Sequence, residues 1–301
     1  MTCLFNPAGV RIRKQNFELF RSRLCLPLIV AELAFDCNPF ELAHGDAEIV
    51  LQVRQGDRMW QKEALLNLAI TKLPPEVEKI LVIDSDVLLP QDDAYLPQLE
   101  RMLDDKVAIQ PFSTVRHINA PPHTPDTPST VGAASTEGFE QVFGRTTRRG
   151  LAPCSGYVWG IQRPVIERHG LYPFCIVGGG DSALVAAATG YPGALESLHS
   201  LGEAQLRRYL GWAEPFREEV AGRVGFMEAQ IGHLWHGTWG GRKGRERHLI
   251  LREHDFDPDV DIARTEEGLW RWSSEKPALH QAVADYFVAR CEDGDCSTVR
   301  V

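Results

Sequence analysis

The chain has 301 residues, of which 44% are hydrophobic, and this composition is sufficient to bury a core of domain size. Its formal net charge is −9. An acidic chain lacks the general positive footprint that a nucleic-acid backbone requires, so we expect no binding of that kind. Local binding of a polyphosphate through a metal ion or a helix N-terminus stays compatible with this charge.

The N-terminal and cysteine patterns predict a cytoplasmic protein without a transmembrane segment. Residues 1–14 lack the basic and long apolar stretches of a signal peptide. The longest apolar region, residues 24–35, is interrupted by a proline and a glutamate and is too short to span a bilayer. Seven scattered cysteines are typical of reduced thiols, with a Cys291–Cys296 bridge under oxidation as the alternative.

Strand and helix patterns alternate through residues 1–112. Short apolar runs that are typical of strands cover residues 2–5, 28–33, 49–53, 80–83 and 107–109. Apolar residues recur at helical spacing over residues 13–24 and 60–73, and Pro74-Pro75 ends the second of these helices. Strands that alternate with helices predict βαβ units and a largely parallel sheet.

The composition changes after residue 112. Residues 119–136 are rich in Pro, Thr, Ser and Ala and predict a long mobile loop, either an inert surface insertion or a lid over a substrate. Order returns with a strand over residues 157–161 and an Ala-rich helix that ends at Ala188. A further helix is predicted over residues 279–291.

Two carboxylates, Asp84 and Asp86, directly follow the buried strand predicted over residues 80–83. In parallel α/β sheets, ligands bind at the carboxyl ends of the strands. Carboxylates two residues apart in a turn can converge on one hard cation, and that cation can neutralise a diphosphate leaving group. The position therefore predicts a metal site, with a pair of solvated turn residues as the alternative.

His233 and His236 lie in an aromatic segment and compete for a role at the same metal. Carboxylates with an imidazole suit Mn²⁺ better than Ca²⁺ or Mg²⁺ alone. Zinc is not favoured, because no cysteine lies close by in this segment. Packing within the aromatic cluster, which includes Trp235 and Trp239, is the alternative for each histidine.

Candidate substrate contacts lie in further segments. The glycines of Gly178–Gly180 either let the backbone approach a substrate closely or form a flexible turn without a role, and Asp181 would lie at a helix N-terminus. Tyr157 and Trp159 are candidate platforms for a sugar ring, although aromatic residues more often belong to the core. A basic run at residues 242–247 either neutralises a departing diphosphate or forms a solvated loop.

In their order along the chain, these segments resemble the motifs of GT-A glycosyltransferases, the nucleotide-diphospho-sugar transferase superfamily. Residues 60–90 resemble the donor half, in which a helix precedes a central strand that ends in Asp-x-Asp. CLFNPAG at residues 3–9 looks like the first strand and turn that hold the nucleotide base. Residues 155–184 resemble the acceptor-side segment, and HLWHG at residues 233–237 resembles the late histidine that completes the metal shell.

The resemblance implies an α/β fold of GT-A (Rossmann-like) type, with a mostly parallel central sheet flanked by helices and an acceptor-side extension. It implies one domain over residues 1–301. Its expected parts are a nucleotide-sugar-binding half (1–112), a flexible loop (113–150), an acceptor and catalytic half (151–250) and a C-terminal extension (251–301).

The implied activity is that of a metal-dependent hexosyl- or N-acetylhexosaminyl-transferase. It would move a sugar from a nucleotide diphosphate, with UDP favoured, to the hydroxyl of a carbohydrate or other acceptor, with Mn²⁺ or Mg²⁺ as cofactor. Expected donor contacts are Phe5, Asn6, Glu32, Gln61, Lys62, Asp84 and Ser85. Expected metal ligands are Asp84, Asp86 and His236, and expected acceptor contacts are Gly156, Tyr157, Trp159, Gly179 and Gly180. Asp181 would be the catalytic base of an inverting enzyme, or would orient the sugar in a retaining one.

Two other functions fit parts of the sequence. A sugar-phosphate nucleotidyltransferase would use the same kind of metal site, but it needs a Gly-rich loop with Arg or Lys after the first strand. Residues 6–13 supply only a weak version of that loop. A non-catalytic carbohydrate-binding protein would use the aromatic cluster and would leave the carboxylates without a role.

Overall fold

The computed structural model describes residues 1–118, 129–134, 151–238 and 240–294. The strands are β1 (Thr2–Phe5), β2 (Ile29–Leu33), β3 (Ile49–Val53), β4 (Lys79–Ile83), β5 (Val87–Leu88), β6 (Ala108–Gln110), β7 (Thr114–Ile118), β8 (Ser129–Gly132), β9 (Leu151–Cys154), β10 (Val158–Gln162), β11 (Val224–Phe226), β12 (Gln230–Leu234), β13 (Ile262–Arg264) and β14 (Trp270–Trp272). The helices are α1 (Ile12–Arg23), α2 (Lys62–Ile70), α3 (Tyr95–Asp105), α4 (Arg163–His169), α5 (Gly180–Ala188), α6 (Ala194–His199), α7 (Glu203–Val220), α8 (Glu246–Glu253) and α9 (Pro277–Ala289).

Two sheets share an edge beside the N-terminus. Strands β1, β2 and β3 form a parallel sheet, and a second sheet has the order β11-β6-β10-β4. The Met1 amino group donates to the carbonyl of Leu81 at 2.5 Å, and the Met1 carbonyl accepts from the amide of Ile83 at 3.0 Å. In a parallel pair of strands, the amide and the carbonyl of one residue bond to two residues of the neighbouring strand that are two positions apart. Met1 bonds to Leu81 and Ile83 in this way. Strand β1 therefore lies beside β4 and runs in the same direction.

The predicted α/β class is confirmed, but the sheet differs from a uniformly parallel one. Strand β10 runs antiparallel to both β4 and β6, while β11 runs parallel to β6. All strands in the two joined sheets except β10 therefore point the same way. The sequence pattern did not reveal the reversal, because a buried strand has the same apolar composition in either direction.

A third sheet positions the candidate site. Its order is β5-β12-β7-β8-β9, and β5 begins directly after Asp86. The pairing of β5 with β12 places Val87 opposite His233, and the amide of Leu234 donates to the Asp86 carbonyl at 2.8 Å. The segment after β4 is therefore joined by backbone hydrogen bonds to β12, which carries His233 and ends two residues before His236.

Helices α2 and α5 pack against the joined sheets in the largest apolar core. Its residues come from most of the sequence, between positions 1 and 287. Seven of the nine residues of α5 are buried, so this helix is enclosed rather than amphipathic. Its small Gly and Ala residues permit that enclosure. Leu65 of α2 is fully buried, and its replacement by Ala would cost about 2–5 kcal/mol of folding free energy.

The predicted loop over residues 113–150 is wrong where the chain forms strands. Residues Thr114–Ile118 form β7 and Ser129–Gly132 form β8, because their backbones pair with each other and with β12 and β9. Such pairing satisfies the backbone regardless of the weak strand propensity of this composition. Residues 119–128 and 135–150 lie outside the described residues.

Two predictions concerned a transmembrane segment and the state of the cysteines. Within the described residues, no helix combines the length and the apolar composition that crossing a bilayer requires. Cys291 takes part in a disulfide, and Cys296 lies outside the described residues.

Candidate metal and substrate site

A cavity of about 340 Å³ lies beside β1 and at the carboxyl end of β4. It brings together segments that are far apart in sequence: the start of α1, the start of α2, the turn after β4, the glycine loop before α5 and the segment after β12. The charged side chains in its wall are Arg13, Lys62, Asp84, Asp86, Asp181, Arg242, Arg247 and Arg290.

Lys62 joins two carboxylates at one end of the cavity. Its ammonium lies 2.6 Å from Asp84 Oδ1 and 2.9 and 3.1 Å from the two oxygens of Asp181. Burial disfavours the ammonium, but the carboxylates of Asp181 and Asp84 outweigh that effect and raise the pKa of Lys62 well above its usual value. Lys62 is therefore a permanent cation between two anions, and we call these three residues the lysine end.

The loop of Gly178–Gly180 places Asp181 at the lysine end. Gly179 has φ 102°, a left-handed conformation that glycine adopts without strain. A side chain at Gly180 would overlap the carboxylate of Glu63, so this position needs glycine for space. Asp181 then lies in the first turn of α5, where the helix dipole favours its negative charge.

Asp86, His233 and His236 form a second, compact cluster, and we call these three residues the metal end. Their ligand atoms lie within 4.8 Å of one another. His236 Nε2 is 3.1 Å from Asp86 Oδ2, and His233 Nε2 is 3.8 Å from Asp86 Oδ1. Both imidazoles thus direct Nε2 at the same carboxylate.

The other ring nitrogens at the metal end face fixed partners. His233 Nδ1 lies 3.1 Å from His117 Nδ1, and His236 Nδ1 lies 3.6 Å from Glu292 Oε1. Partners of this kind orient an imidazole so that its free nitrogen can bind a metal.

The metal end fits a divalent cation on two grounds. Within the described part of the chain, Asp86 Oδ1 is buried without a hydrogen-bond partner, an arrangement that is costly unless a ligand completes it. Burial, and next the charge of Asp84, raises the pKa of Asp86 to about 7, and burial and then Arg242 lower the pKa of His236 to about 4. The imidazole is therefore neutral at pH 7, as metal binding requires.

A buried ion-pair network ties the C-terminal segment to the metal end. The Glu292 carboxylate accepts from Arg13 Nε at 2.6 Å and Nη2 at 3.0 Å, and from Arg290 Nε at 2.6 Å. Asp293 accepts from the backbone amides that begin α1, including Ile12 at 2.9 Å. These contacts bring residues 290–293 against Arg13 and the start of α1, and Arg13 and Arg290 line the cavity.

Tyr157 connects the two ends. It has φ 78°, a conformation that costs energy for a residue with a side chain and that clusters at functional sites. Its carbonyl accepts from the amide of Asp84 at 2.8 Å, and its ring centroid lies 4.7 Å from that of His233.

Most of the residues that the sequence suggested line this one cavity. Those that do are Phe5, Lys62, Asp84, Ser85, Asp86, Gly156, Tyr157, Gly179, Asp181, His233 and His236. The structure brings both histidines to Asp86. It pairs Asp84 with Lys62, away from the cluster of metal ligands expected to contain it.

Glu32 and Gln61 lie outside the cavity wall, contrary to the expectation of donor contacts. The Glu32 carboxylate accepts from the amides of Glu41 and Leu42 and from Gln52 Nε2. Gln61 is fully buried, and its side-chain amide exchanges hydrogen bonds with the backbone of Trp270 at 2.7 and 3.0 Å. Both polar groups are used within the fold, which is what their burial requires.

Asn6, Trp159 and Gly180 also lie outside this cavity. Asn6 closes the turn after β1 through two hydrogen bonds with the backbone of Val10. Trp159 is 2% exposed and belongs to the core, and its indole N–H donates to the carbonyl of Ser155. The sequence analysis raised this core alternative for aromatic residues.

Several residues of the wall escaped the sequence analysis. Arg13, Trp60 and Arg290 line the cavity, and Glu292 supports it from behind. Arg13 and Glu292 are 279 positions apart, so no local spacing pattern could link them. Trp60 directly precedes Gln61 and Lys62, which the sequence suggested as donor contacts. This position could have indicated that Trp60 lines the cavity.

No protein-family model matches this chain, and no curated protein matches it. The geometry of the cavity and the order of the motifs therefore carry the functional argument.

Proposed function

We propose that this chain is a metal-dependent glycosyltransferase of GT-A type, which moves a sugar from a nucleotide diphosphate to an acceptor hydroxyl. One observation carries the proposal: a single cavity combines an Asp-His-His cluster suited to a cation with a separate carboxylate, Asp181, suited to proton transfer or sugar binding. The distinct ends match the two demands of sugar transfer, which are stabilisation of a leaving diphosphate and activation of an acceptor.

The fold supports this proposal. The carboxylates follow β4, whose neighbour β1 runs parallel to it, and the carboxyl ends of parallel strands are the usual location of ligand sites in α/β sheets. The turn after β4 also leads directly into β5 and from there to the histidine strand β12. This connection supports the proposal, because it brings together the segments whose order along the chain resembles that of the GT-A family.

Asp86, His233 and His236 would hold a divalent cation, with Mn²⁺ suited to a carboxylate and two imidazoles. When bound there, the cation would neutralise the charge that develops on the leaving diphosphate. Arg242 lines the same end and supplies a guanidinium for phosphate oxygens. We favour UDP as the nucleotide on the basis of the family resemblance.

Asp181 acts at the other end. Burial raises the pKa of its carboxyl, which makes it a stronger base than a solvated aspartate, while Lys62 keeps an ionised form favourable. In an inverting reaction Asp181 accepts the proton of the acceptor hydroxyl. In a retaining reaction it orients the transferred sugar.

Thermal shift measurements with UDP, GDP and ADP, each with and without Mn²⁺, test the proposal. We expect one diphosphate to stabilise the protein in a metal-dependent way, and the stabilisation to disappear in Asp86→Asn. Asp93→Asn is the matched control, because Asp93 is exposed and lies outside the cavity. Stabilisation by free sugars with no response to any diphosphate would favour a carbohydrate-binding protein and contradict the proposal.

Analysis of the released product separates glycosyl transfer from the nucleotidyltransferase alternative. Incubation with a nucleotide sugar and Mn²⁺ should release the nucleoside diphosphate. Release of pyrophosphate from a nucleoside triphosphate and a sugar phosphate would instead assign attack at the α-phosphate.

A further inference from the structure

The cationic side chains of the cavity wall differ in whether a carboxylate faces them. Lys62 contacts Asp84 and Asp181, while Arg13 and Arg290 share Glu292. Lys62 is therefore neutralised within the protein, and the two guanidiniums share one carboxylate. Each of these three cations is held in the wall by an internal carboxylate partner.

Arg242 lines the same cavity as Asp86, His233 and His236. In the proposed function, a cation and Arg242 together would face the bound diphosphate.

Arg247 is the exception, and it lies beside the glycine loop. Among the described residues, no carboxylate oxygen lies within 4.0 Å of its guanidinium. Its contacts are neutral: Nη1 lies 3.3 Å from the hydroxyl of Tyr286, and Nε lies 3.4 Å from Nε2 of His248. Burial lowers the pKa of His248 far below its usual value, so that its imidazole is uncharged.

Arg247 lies beside the glycine loop that precedes Asp181. A Cβ atom built on Gly178 would lie 3.5 Å from Arg247 Cζ, and Gly178 begins the loop that carries Asp181. The guanidinium lines the same cavity as Asp181. It is thus a charged group near the group proposed to contact the acceptor hydroxyl, and its geometry suits a planar or tetrahedral oxyanion.

We propose that Arg247 binds an anionic group of the acceptor, so that the acceptor is a hydroxyl compound with a carboxylate or a phosphate. This inference rests on the proposed function, because it names the acceptor class of the same site. A cation at the metal end offsets the diphosphate charge, and the guanidinium without an internal carboxylate is left for a second anion.

Equilibrium binding to the protein saturated with Mg²⁺ and UDP tests the inference. The ligands are glucose, glucose 6-phosphate and glucuronate, which share one ring, together with inorganic phosphate as the minimal anion. We expect an anionic ligand to bind and glucose to bind more weakly. Comparison of the affinities for glucose 6-phosphate and glucuronate shows whether the site prefers a phosphate or a carboxylate.

In Arg247→Gln, affinity for the anionic ligand should fall about tenfold to a hundredfold, the range expected for loss of a charge-assisted hydrogen bond. UDP affinity should change less than about twofold, because the contacts proposed for the diphosphate are the cation and Arg242. Arg247→Lys should retain part of the anion binding. Arg245→Gln is the matched control, since Arg245 is exposed and lies outside the cavity wall.

Three outcomes would overturn the inference while leaving the proposed function intact: glucose binding as tightly as its charged analogues, no anion binding to the Mg²⁺–UDP form, or equal loss of UDP and anion binding in Arg247→Gln. The last result would assign Arg247 to the diphosphate. Failure of UDP and the other diphosphates to bind the wild-type protein at all would instead refute the proposed function.

Discussion

The two ends of the cavity begin with carboxylates that are only two residues apart, yet their surroundings are opposite in chemistry. At the lysine end, Asp84 contacts a buried ammonium at 2.6 Å. At the metal end, Asp86 faces two imidazoles that are neutral at pH 7, and one of its oxygens has no hydrogen-bond partner among the described residues. The charge of Asp84 is thus neutralised by Lys62, whereas Asp86 is placed to bind a cation.

The difference teaches that an Asp-x-Asp motif need not act as one unit. Consecutive elements separate its members. Asp84 directly follows β4 and contacts Lys62 at the start of α2, while Asp86 directly precedes β5 and lies beside His233 of β12. Asp84 contacts an internal ammonium, whereas burial raises the pKa of the Asp86 carboxyl. The predictions below test this division between the two ends.

The largest expected effect is loss of metal binding in Asp86→Asn. We expect the affinity for Mn²⁺ to fall by more than about a hundredfold, since losing a direct ligand should exceed the effect of losing its supporting partner. Titration calorimetry with Mn²⁺ measures it. Asp84→Asn is the comparison variant and should retain metal affinity within about threefold, because Asp84 contacts Lys62. Loss of metal binding in Asp84→Asn alone would reverse the assignment of the two ends.

Replacement of Lys62 by Met should act on the other end. We expect turnover to fall about a hundredfold, within the range for impaired acid–base catalysis. Without the ammonium the pKa of Asp181 rises further, so the acidic limb of the pH–rate profile should move to higher pH. Stability should fall by only about 1–3 kcal/mol, because Asp84 and Asp181 are 28% and 29% exposed and solvent screens their charges.

Rate profiles and denaturant titrations measure these effects, with Lys72→Met as the control, because Lys72 is exposed just after the same helix. Mn²⁺ affinity should stay within about threefold in Lys62→Met. A large loss of metal affinity would show that the two ends are not independent.

The pH dependence of metal binding sharpens the comparison. Burial, and next Asp84, raises the pKa of Asp86 to about 7, so a proton competes with the cation below that pH. Mn²⁺ affinity should fall about tenfold for each pH unit below 7 and level off above 8. Because the folded state holds this proton more tightly than the unfolded chain does, the metal-free protein should lose stability as pH rises from about 4 to 7.

Calorimetry in buffers of different ionisation enthalpy measures the accompanying proton release, and pH-resolved denaturation measures the stability slope. Asp86→Asn should lack this component of the slope. A wild-type metal affinity that is constant from pH 5 to 8 would show that Asp86 is already ionised when the site is empty.

The smallest expected effect on the metal end comes from Glu292→Gln, which acts through His236. Its oxygen lies 3.6 Å from His236 Nδ1, so we expect a loss of metal affinity of about tenfold or less. Folding stability should fall by about 3 kcal/mol, since Arg13 and Arg290 would lose their buried partner. Asp293→Asn, at the next residue, should cost about 1 kcal/mol through its contact with α1 and leave metal binding unchanged. Equal metal affinity in Glu292→Gln and wild type would limit Glu292 to a structural role.

Local patterns predicted much of the fold and only part of the site. The apolar run before Asp84 is a strand, and the helical spacing after Trp60 is a helix, because burial of those residues depends mainly on local periodicity. The convergence of Asp86 with the late histidines was also suggested by motif order. The sequence did not indicate that Lys62 contacts Asp84, because this contact depends on how α2 packs against the segment after β4.

The remaining errors share a tertiary cause. Glu32 matches the position expected of a donor contact, but residues Glu41 and Leu42 fold back and bind its carboxylate. The ion pair of Arg13 with Glu292 joins residues that are 279 positions apart in the sequence. Strand β8 forms from an unpromising composition because neighbouring backbones pair with it. Contacts of this range leave no periodic trace in a sequence.

The most direct test of the account is the location of manganese by anomalous diffraction from crystals grown with Mn²⁺ and UDP. We predict one strong peak bonded to Asp86, His233 and His236, with a phosphate oxygen of UDP in the same coordination shell and Lys62 still between Asp84 and Asp181. A manganese peak on Asp84 with Lys62 displaced, or UDP bound away from the metal, would contradict it.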